Sequence, residues 1–338
     1  MKKVTLIFIC LFLSLGVTFG QSVKEVPSKE MADSIKMVYL SAAAIGYPIL
    51  RQGFVSTDIL GNGNIDAKLH GNEFFKAKAS NTRVRSLFNI PLKEWGNNNI
   101  TATLTYDQEH YNLTSVTSFN PQIPVSNTNF NKSTVGFTAT YVHTDSLFNH
   151  QVIYSASISG LTDQLSSIER IYYTGTVTFP LKRTATTAYM VGAAVTIDRS
   201  SQFPFLPFFS YWHKFKTQDL ELFADLPSRV SLRKQLSSKS WLSLNTDLTG
   251  TFLFFDLNHP LPQEANYSKI ELKTGPSFEY LLTKKLILGV NGGMISTLSS
   301  RMFQRSEGSG DYFINSNNST VPYVNFTISF LPFLKAIR

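Results

Sequence analysis

Polar and apolar side chains alternate with a period of two along much of this 338-residue chain. The pattern is clearest in five segments, 101–106, 152–159, 172–179, 242–249 and 324–330. Successive side chains of a β-strand point to opposite faces, so each segment predicts a strand with one apolar and one polar face. The chain is therefore expected to be all-β.

The polar faces contain Ser, Thr and Asn more often than Lys and Glu, which suits an enclosed interior better than bulk solvent. Many predicted strands reach about ten residues, the length that a tilted span of a membrane needs, whereas strands of soluble proteins usually have about five or six. Charged residues make up only 16% of the chain and aromatic residues 13%, while soluble domains average about 25% charged residues. We therefore predict a transmembrane antiparallel up-and-down β-barrel rather than a soluble sandwich.

Turn-forming residues separate the predicted strands in two ways. Asn, Ser, Pro and Gly mark short turns near 93–98, 181–184, 216–218, 237–240 and 283–284, and longer loops near 113–131, 257–267 and 304–319. Short turns at one end and long loops at the other are typical of outer-membrane barrels, although 225–228 predicts a tight turn at the long-loop end. Barrels of this class have even strand numbers, and we predict about 12 strands. The range from 10 to 14 stays open because the segments 54–75 and 220–236 are ambiguous.

The first twenty residues have the layout of a secretory signal peptide. Lys2 and Lys3 precede an apolar stretch, and Gly20 supplies a small residue at the predicted cleavage point. The stretch is shorter than the roughly 20 residues of a transmembrane helix. Cys10 is the only cysteine; it lies in the middle of the stretch rather than at its end, where a lipid anchor would need it, and it leaves with the signal peptide.

Three parts of the chain follow from these observations. We predict a signal peptide at residues 1–20, an N-terminal periplasmic or lead-in segment at 21–50 and an outer-membrane β-barrel at 51–338. A plug inside the barrel is the alternative for the segment 21–50. Because the mature chain has no cysteine, disulfides and thiol chemistry are excluded.

A central block of the chain consists of 203–215 (FPFLPFFSYWHKF), 220–236 (LELFADLPSRVSLRKQL) and the turn that begins at 237 (SSKSWL). This block resembles a family of uncharacterised outer-membrane β-barrel proteins. The resemblance implies the fold and the location over most of the mature chain, but no functional residues, because the family has no established activity. Many such barrels end on an aromatic residue that the assembly machinery reads; Phe330 ends the last predicted strand, but further residues follow it, and Phe333 is the alternative.

The aromatic segment 203–215 contains seven aromatic residues and His213. A platform that binds carbohydrate or aromatic compounds is one interpretation. We favour the other, a strand that contributes to the aromatic girdles at the two membrane interfaces.

The sequence offers few candidates for catalysis. None of the histidines forms an HxH or HExxH motif of the kind that binds zinc; they are His70, His110, His143, His150, His213 and His259. A membrane lipid hydrolase would need a Ser nucleophile, a His base and an orienting carboxylate within reach of one another. His143, Asp145 and either Ser155 or Ser157 lie on neighbouring predicted strands. Such a coincidence is expected among so many Ser and Thr residues, so we assign no catalytic, cofactor-binding or metal-binding residues.

The net charge of +8 does not indicate a nucleic-acid-binding protein, because Lys and Arg are scattered and the chain is predicted to be exported. We expect an outer-membrane protein without cofactors that is not an enzyme and acts as a narrow, weakly charge-selective pore or as an envelope structural protein. Its expected partners are outer-membrane lipids and, during biogenesis, the barrel assembly machinery. An outer-membrane enzyme acting on lipid or glycan and a secreted soluble β-protein that binds a ligand are the alternatives.

Overall fold

The computed structural model describes residues 29–164, 166–216 and 219–337, so the predicted signal peptide lies outside the described residues. These residues form an α-helix, α1 (Lys29–Gly46), a short 3-10 helix (Pro48–Leu50) and fifteen strands. The strands, in chain order, are β1 (Gly53–Leu69), β2 (Asn72–Trp95), β3 (Asn98–Ser118), β4 (Thr128–Leu147), β5 (His150–Thr162), β6 (Arg170–Arg183), β7 (Thr187–Ile197), β8 (Phe205–Phe215), β9 (Leu220–Leu226), β10 (Arg229–Ser237), β11 (Ser240–Asp256), β12 (Glu264–Thr283), β13 (Leu286–Gln304), β14 (Tyr312–Asn318) and β15 (Val321–Phe330). Among the described helices, none is long and apolar enough to cross a membrane.

The strands form one antiparallel sheet that closes on itself. Each strand from β2 to β12 pairs with its neighbours in the chain. The ring closes because β1 pairs with β15 from Gly53 to Leu60 and with β14 from Ile65 to Leu69. β13 also pairs with both β14 and β15. β14 and β15 therefore act as one interrupted strand, and the ring has 14 strands.

The prediction of a closed, antiparallel, all-β ring is confirmed, but the prediction of 12 strands is wrong. In the ambiguous segment 54–75, β1 continues through Gly61 and Gly63 with a register shift against β2, and the chain turns only at His70 and Gly71. A Cβ atom on Gly63 would lie 2.4 Å from the Val321 side chain, so this glycine permits the close approach of the strand that closes the ring. The ambiguous segment 220–236 forms two short strands, β9 and β10.

The two ends of the barrel differ in their connections. At the end that carries α1 and the end of β15, the connections between strands have two to four residues. At the opposite end, four connections have seven residues and one has nine, whereas those after β1 and β9 have two. The tight turn predicted at 225–228 is confirmed. We call these the short-turn end and the long-loop end.

The outward faces of the strands carry exposed apolar side chains on strands all around the ring. Representative exposed residues are Val55, Leu104, Phe137, Ile158, Tyr173, Val195, Phe209, Leu232, Leu244, Phe278, Val290 and Phe326. The inward positions that alternate with them are mostly polar, as the period of two predicts. This is the arrangement expected of a barrel whose outer surface contacts hydrocarbon.

The interior of the ring is flattened. In a regular ring of 14 strands, β4 and β11 would lie on opposite sides, because seven strand steps separate them in either direction. Here the Thr134 hydroxyl of β4 donates a hydrogen bond of 2.9 Å to the backbone oxygen of Phe252 in β11. Arg85 of β2 also reaches β11, where it donates to the Thr251 hydroxyl at 2.6 Å. The walls therefore meet across the interior and divide it.

Candidate functional site: the barrel interior

Six charged side chains gather inside the ring and form what we call the interior ion cluster. Its members are Asp58 of β1, Arg83 of β2, Glu109 of β3, and Lys269, Glu271 and Lys273 of β12. The side chains of Arg83 and Glu109 are fully buried. The cluster contains three carboxylates and three cations and is therefore electrically neutral as a set.

Arg83 is the centre of the cluster because its guanidinium group approaches all three carboxylates. Its Nε lies 2.6 Å from Glu109 Oε1, its Nη2 lies 2.8 Å from Glu271 Oε2 and its Nη1 lies 3.7 Å from Asp58 Oδ2. These carboxylates come from three different strands. Arg83 therefore connects opposite parts of the wall, and this is the use for which the planar, multidentate guanidinium group is suited.

The two lysines complete the pairing. Lys273 Nζ lies 2.6 Å from Asp58 Oδ2, and Lys269 Nζ lies 3.0 Å from Glu271 Oε1 and 3.4 Å from Glu109 Oε2. The contact between Lys269 and Glu109 crosses the interior, since β12 and β3 are not neighbours in the ring. A buried charge is tolerated only when it is paired and hydrogen-bonded.

Neutral groups complete the hydrogen bonding of two of these carboxylates. Asn81 donates to Glu109 Oε2 at 2.7 Å, and Thr251 donates to Glu109 Oε1 at 3.0 Å. Asn325 of β15 donates to Asp58 Oδ1 at 2.8 Å. The cluster thus joins six of the strands, and it obstructs the part of the interior that it occupies.

This cluster was not among our predictions, although the sequence contains a signal for it. Charged and polar residues recur at every second position in 81–85, 107–111 and 269–273, so they share one face of each strand. A charged face on a strand whose other face is apolar indicates an enclosed ionic interior. The sequence does not show that the three segments face one another, because that depends on the closure of the ring.

A second charged group holds the end of α1 inside the short-turn end of the ring. Arg51 Nε donates to the backbone oxygen of Ala44 at 3.2 Å, and Arg233 Nη1 donates to that of Ile45 at 2.8 Å. Both arginines also face Glu279, at 2.7 and 3.7 Å. Cations at a helix C-terminus bind the free carbonyl groups and are favoured by the helix dipole.

Apolar contacts reinforce this position of the helix. Ala44 is fully buried against Ile287 and Leu331, and Tyr47 packs edge-on against Phe223 with 5.2 Å between the ring centroids. Burial, and next the negative charge of Asp225, raise the pKa of Tyr47 above its ordinary value. The end of α1 therefore lies between β9 and β10 on one side and β12 and β13 on the other.

The hydrolase candidates of the sequence, His143 with Ser155 or Ser157, lie on opposite faces of their strands in the structure. His143 lies on the same face of β4 as the exposed Tyr141, and its ring stacks on Tyr154. Ser155 alternates with Tyr154 and lies on the opposite face, where its hydroxyl is 2.6 Å from that of Thr176. Ser157 is on the same face as Ser155. Asp145 is near His143, at 3.9 Å, but both side chains are exposed to solvent.

The aromatic segment contains the whole of β8. Phe209, Tyr211, His213 and Phe215 alternate along one face, and their rings contact one another in sequence. Phe209 and Phe215 are exposed on the outside of the ring. This column extends along the strand, and its contribution to the aromatic girdles stays a prediction.

The comparisons with known proteins give a likeness of architecture at low similarity. No family model matches the chain, and no curated protein matches it. An outer-membrane channel of Pseudomonas putida F1 is 8% identical over 83% of this chain and 96% of its own, with a TM-score of 0.34. The translocator domain of the autotransporter NalP of Neisseria meningitidis is 9% identical over 89% and 96%, with a TM-score of 0.28. The transport unit of the autotransporter AIDA-I of Escherichia coli is 9% identical over 98% of both chains, with a TM-score of 0.29.

Identities of 8% to 9% and TM-scores of 0.28 to 0.34 carry no argument about activity. The family that the central block resembles therefore stays a prediction.

Proposed function

We propose that this protein is an outer-membrane β-barrel whose interior is closed in the conformation described above. The closed ring of paired strands is the observation that carries the proposal, because its outer face is apolar and its inner face polar. In hydrocarbon, every backbone polar group needs a partner within the protein, and a closed barrel is one of only two spanning structures that provide it. The short-turn end would face the periplasm, as in other outer-membrane barrels.

The role that this architecture supports best is that of a gated narrow pore without enzymatic activity. Two obstacles lie along the interior: α1 with Arg51, Arg233 and Glu279 at the short-turn end, and the interior ion cluster beyond it. Since the cluster is neutral as a set, an opened pore would discriminate weakly between cations and anions. The separation of His143 from Ser155 supports the absence of hydrolase activity.

Membrane location is tested by fractionating cells that express the full chain and by comparing gel migration of heated and unheated samples. We expect the protein in the outer-membrane fraction and faster migration without heating, because a closed barrel resists detergent. Full recovery in the soluble fraction would contradict the membrane proposal and would favour the soluble ligand-binding alternative.

The closed state is tested by single-channel recording of the purified protein in planar bilayers. The wild-type protein is expected to conduct rarely. The triple variant Arg51→Gln, Arg233→Gln, Glu279→Gln should conduct more often, because it releases the carbonyl groups of α1 without leaving an unpaired buried charge. The exposed pair of Glu73 and Lys76, changed to Gln and Met, is the matched control and should behave as wild type.

Two other results of the single-channel recordings would change the proposal. Continuous large steps from the wild-type protein would contradict the closed interior. Silence of both the wild type and the triple variant would remove the pore and leave an envelope structural role.

A further inference from the structure

A notch interrupts the barrel wall at the long-loop end, where the hairpin of β9 and β10 is too short to fill it. β8 pairs with β9 only from Phe209 to Phe215. β11 pairs with β10 only as far as Asp247, whereas β11 itself continues for nine more residues to Asp256. Residues 205–208 of β8 and 249–256 of β11 therefore extend beyond the hairpin that joins them lower in the wall.

Two adjoining cavities occupy this notch. One, of about 350 Å³, is lined in part by Phe203, Leu248 and Arg301. The other, of about 250 Å³, is lined in part by Leu206, Phe208 and Leu248. Leu248 borders both, so we treat them together as the wall cleft. Their volumes are close to the roughly 300 to 1,000 Å³ of small-molecule sites.

The wall cleft passes through the barrel wall at this notch. Leu206 and Phe208 alternate with the exposed Phe209 and face the interior, whereas Leu248 faces outward. Leu248 alternates with inward residues and shares the outward face of β11 with the exposed Leu244. The loop between β7 and β8 covers this face, and Gln202 fixes the loop by donating a hydrogen bond of 3.1 Å to the Ser268 hydroxyl of β12. Phe203 and Leu298 at the border are more than half exposed, which leaves the cleft accessible from the surrounding bilayer.

Charge is distributed unequally along the cleft. At one end lies Arg301, which makes no ion pair with a carboxylate of the described residues; its guanidinium group rests 4.9 Å from the Tyr312 ring and reaches the Ser309 backbone oxygen at 3.5 Å. At the other end lies Asp225, which is paired with Arg229 at 2.8 Å. The end with Arg301 is therefore the one that can accept an anionic group.

We propose that the wall cleft binds a single-chain amphiphile with an anionic headgroup, such as a fatty acid, with the headgroup at Arg301 and the alkyl chain past Leu248. The apolar lining accounts for the chain, and the uncompensated guanidinium group accounts for the head. The two cavities, of about 350 and 250 Å³, offer room for one alkyl chain, and this is why a single-chain ligand is proposed. The site lies in the wall at the long-loop end, away from α1 and the interior ion cluster, so the proposal goes beyond the pore and does not require it to open.

The test is a binding measurement on the purified full chain in a neutral detergent, with dodecanoate as the probe and native mass spectrometry as the readout. We expect one dodecanoate per barrel and at least tenfold weaker binding of dodecyltrimethylammonium. Arg301→Gln should weaken dodecanoate binding by about 10- to 100-fold, the range for a lost hydrogen bond to a charged group. Arg301→Lys should retain part of the affinity.

Two matched substitutions on β11 locate the chain. Leu248→Trp should abolish binding because it fills the cleft, whereas Leu244→Trp adds the same bulk to an exposed outward position and should have no effect. Equal binding of dodecanoate and dodecyltrimethylammonium, equal loss in both Trp variants, or preferential binding of phosphatidylglycerol would each overturn the proposal. Failure of the pore recordings would leave this test unaffected, because it measures binding at the wall cleft and not conduction through the interior.

Discussion

Arg83 provides the strictest test of the closed interior. Replacement of Arg83 by Met preserves much of the side-chain volume but leaves the interior ion cluster with three carboxylates and two cations. Removing one partner of a buried ion pair typically costs about 3 to 5 kcal/mol, since an uncompensated charge remains in a medium of low polarity. We therefore expect Arg83→Met to lower the free energy of unfolding by about that amount.

A double-mutant cycle separates this effect from simple loss of packing. Glu109→Gln alone should also destabilise the barrel, because it leaves an excess of cations. In the double variant, the pairs of Lys273 with Asp58 and of Lys269 with Glu271 remain, at 2.6 and 3.0 Å, and the charges balance again. The double variant should therefore lose less stability than the sum of the two single variants, with a coupling of about 0.5 to 3 kcal/mol.

The assay is urea-induced unfolding in detergent micelles, followed by tryptophan fluorescence and by gel migration without heating. Lys76→Met is the control, because Lys76 forms an exposed pair with Glu73 and should leave the transition unchanged. A loss below about 1 kcal/mol for Arg83→Met, the magnitude of a surface pair, would mean that water reaches the cluster. The interior would then not be closed at the position of the interior ion cluster.

Three further predictions follow from individual positions. Gly275→Ala should impair folding, seen as loss of the unheated fast-migrating band, because a Cβ atom there would lie 1.9 Å from a backbone oxygen of β13; Gly175→Ala, with no atom within 4 Å, should fold normally. Docking of α1 raises the pKa of Tyr47, so the stability that neutral Tyr47 contributes to the docked state is complete below about pH 10 and is lost as the pH rises through the raised pKa. Conductance should therefore increase in strong alkali, and Tyr47→Phe should remove that increase. Neither the wild-type protein nor His143→Ala should release fatty acid from phospholipid vesicles above background; release by the wild type that His143→Ala abolishes would establish a hydrolase.

The local pattern of the sequence was sufficient to predict the class of the fold. The period of two in 101–106 and 172–179 reports which face each side chain occupies, and this information is contained in neighbouring residues. The same holds for turns such as 237–240, where polar residues interrupt the alternation. Fold class and turn positions were therefore accessible without tertiary contacts.

The strand number was less accessible because two of its determinants are long-range. Gly61 and Gly63 resemble a turn in the sequence, but they lie within β1, next to Val321 and Pro322 of the strand that closes the ring. Nothing within β1 indicates that contact. The interruption between β14 and β15 likewise has meaning only because both segments pair with the same two strands.

Closure of the interior also depends on contacts between residues that are far apart in the chain. Arg233 binds the Ile45 carbonyl across 188 positions, and Lys269 reaches Glu109 across 160. The alternation of side chains along each strand places these charges on its inward face, and this placement can be predicted from the sequence. Which charges meet is determined by the ring closure and by the flattening that joins Thr134 to the backbone of Phe252. An outer-membrane barrel can therefore be predicted from its strands one at a time, whereas its open or closed state is a property of the complete ring.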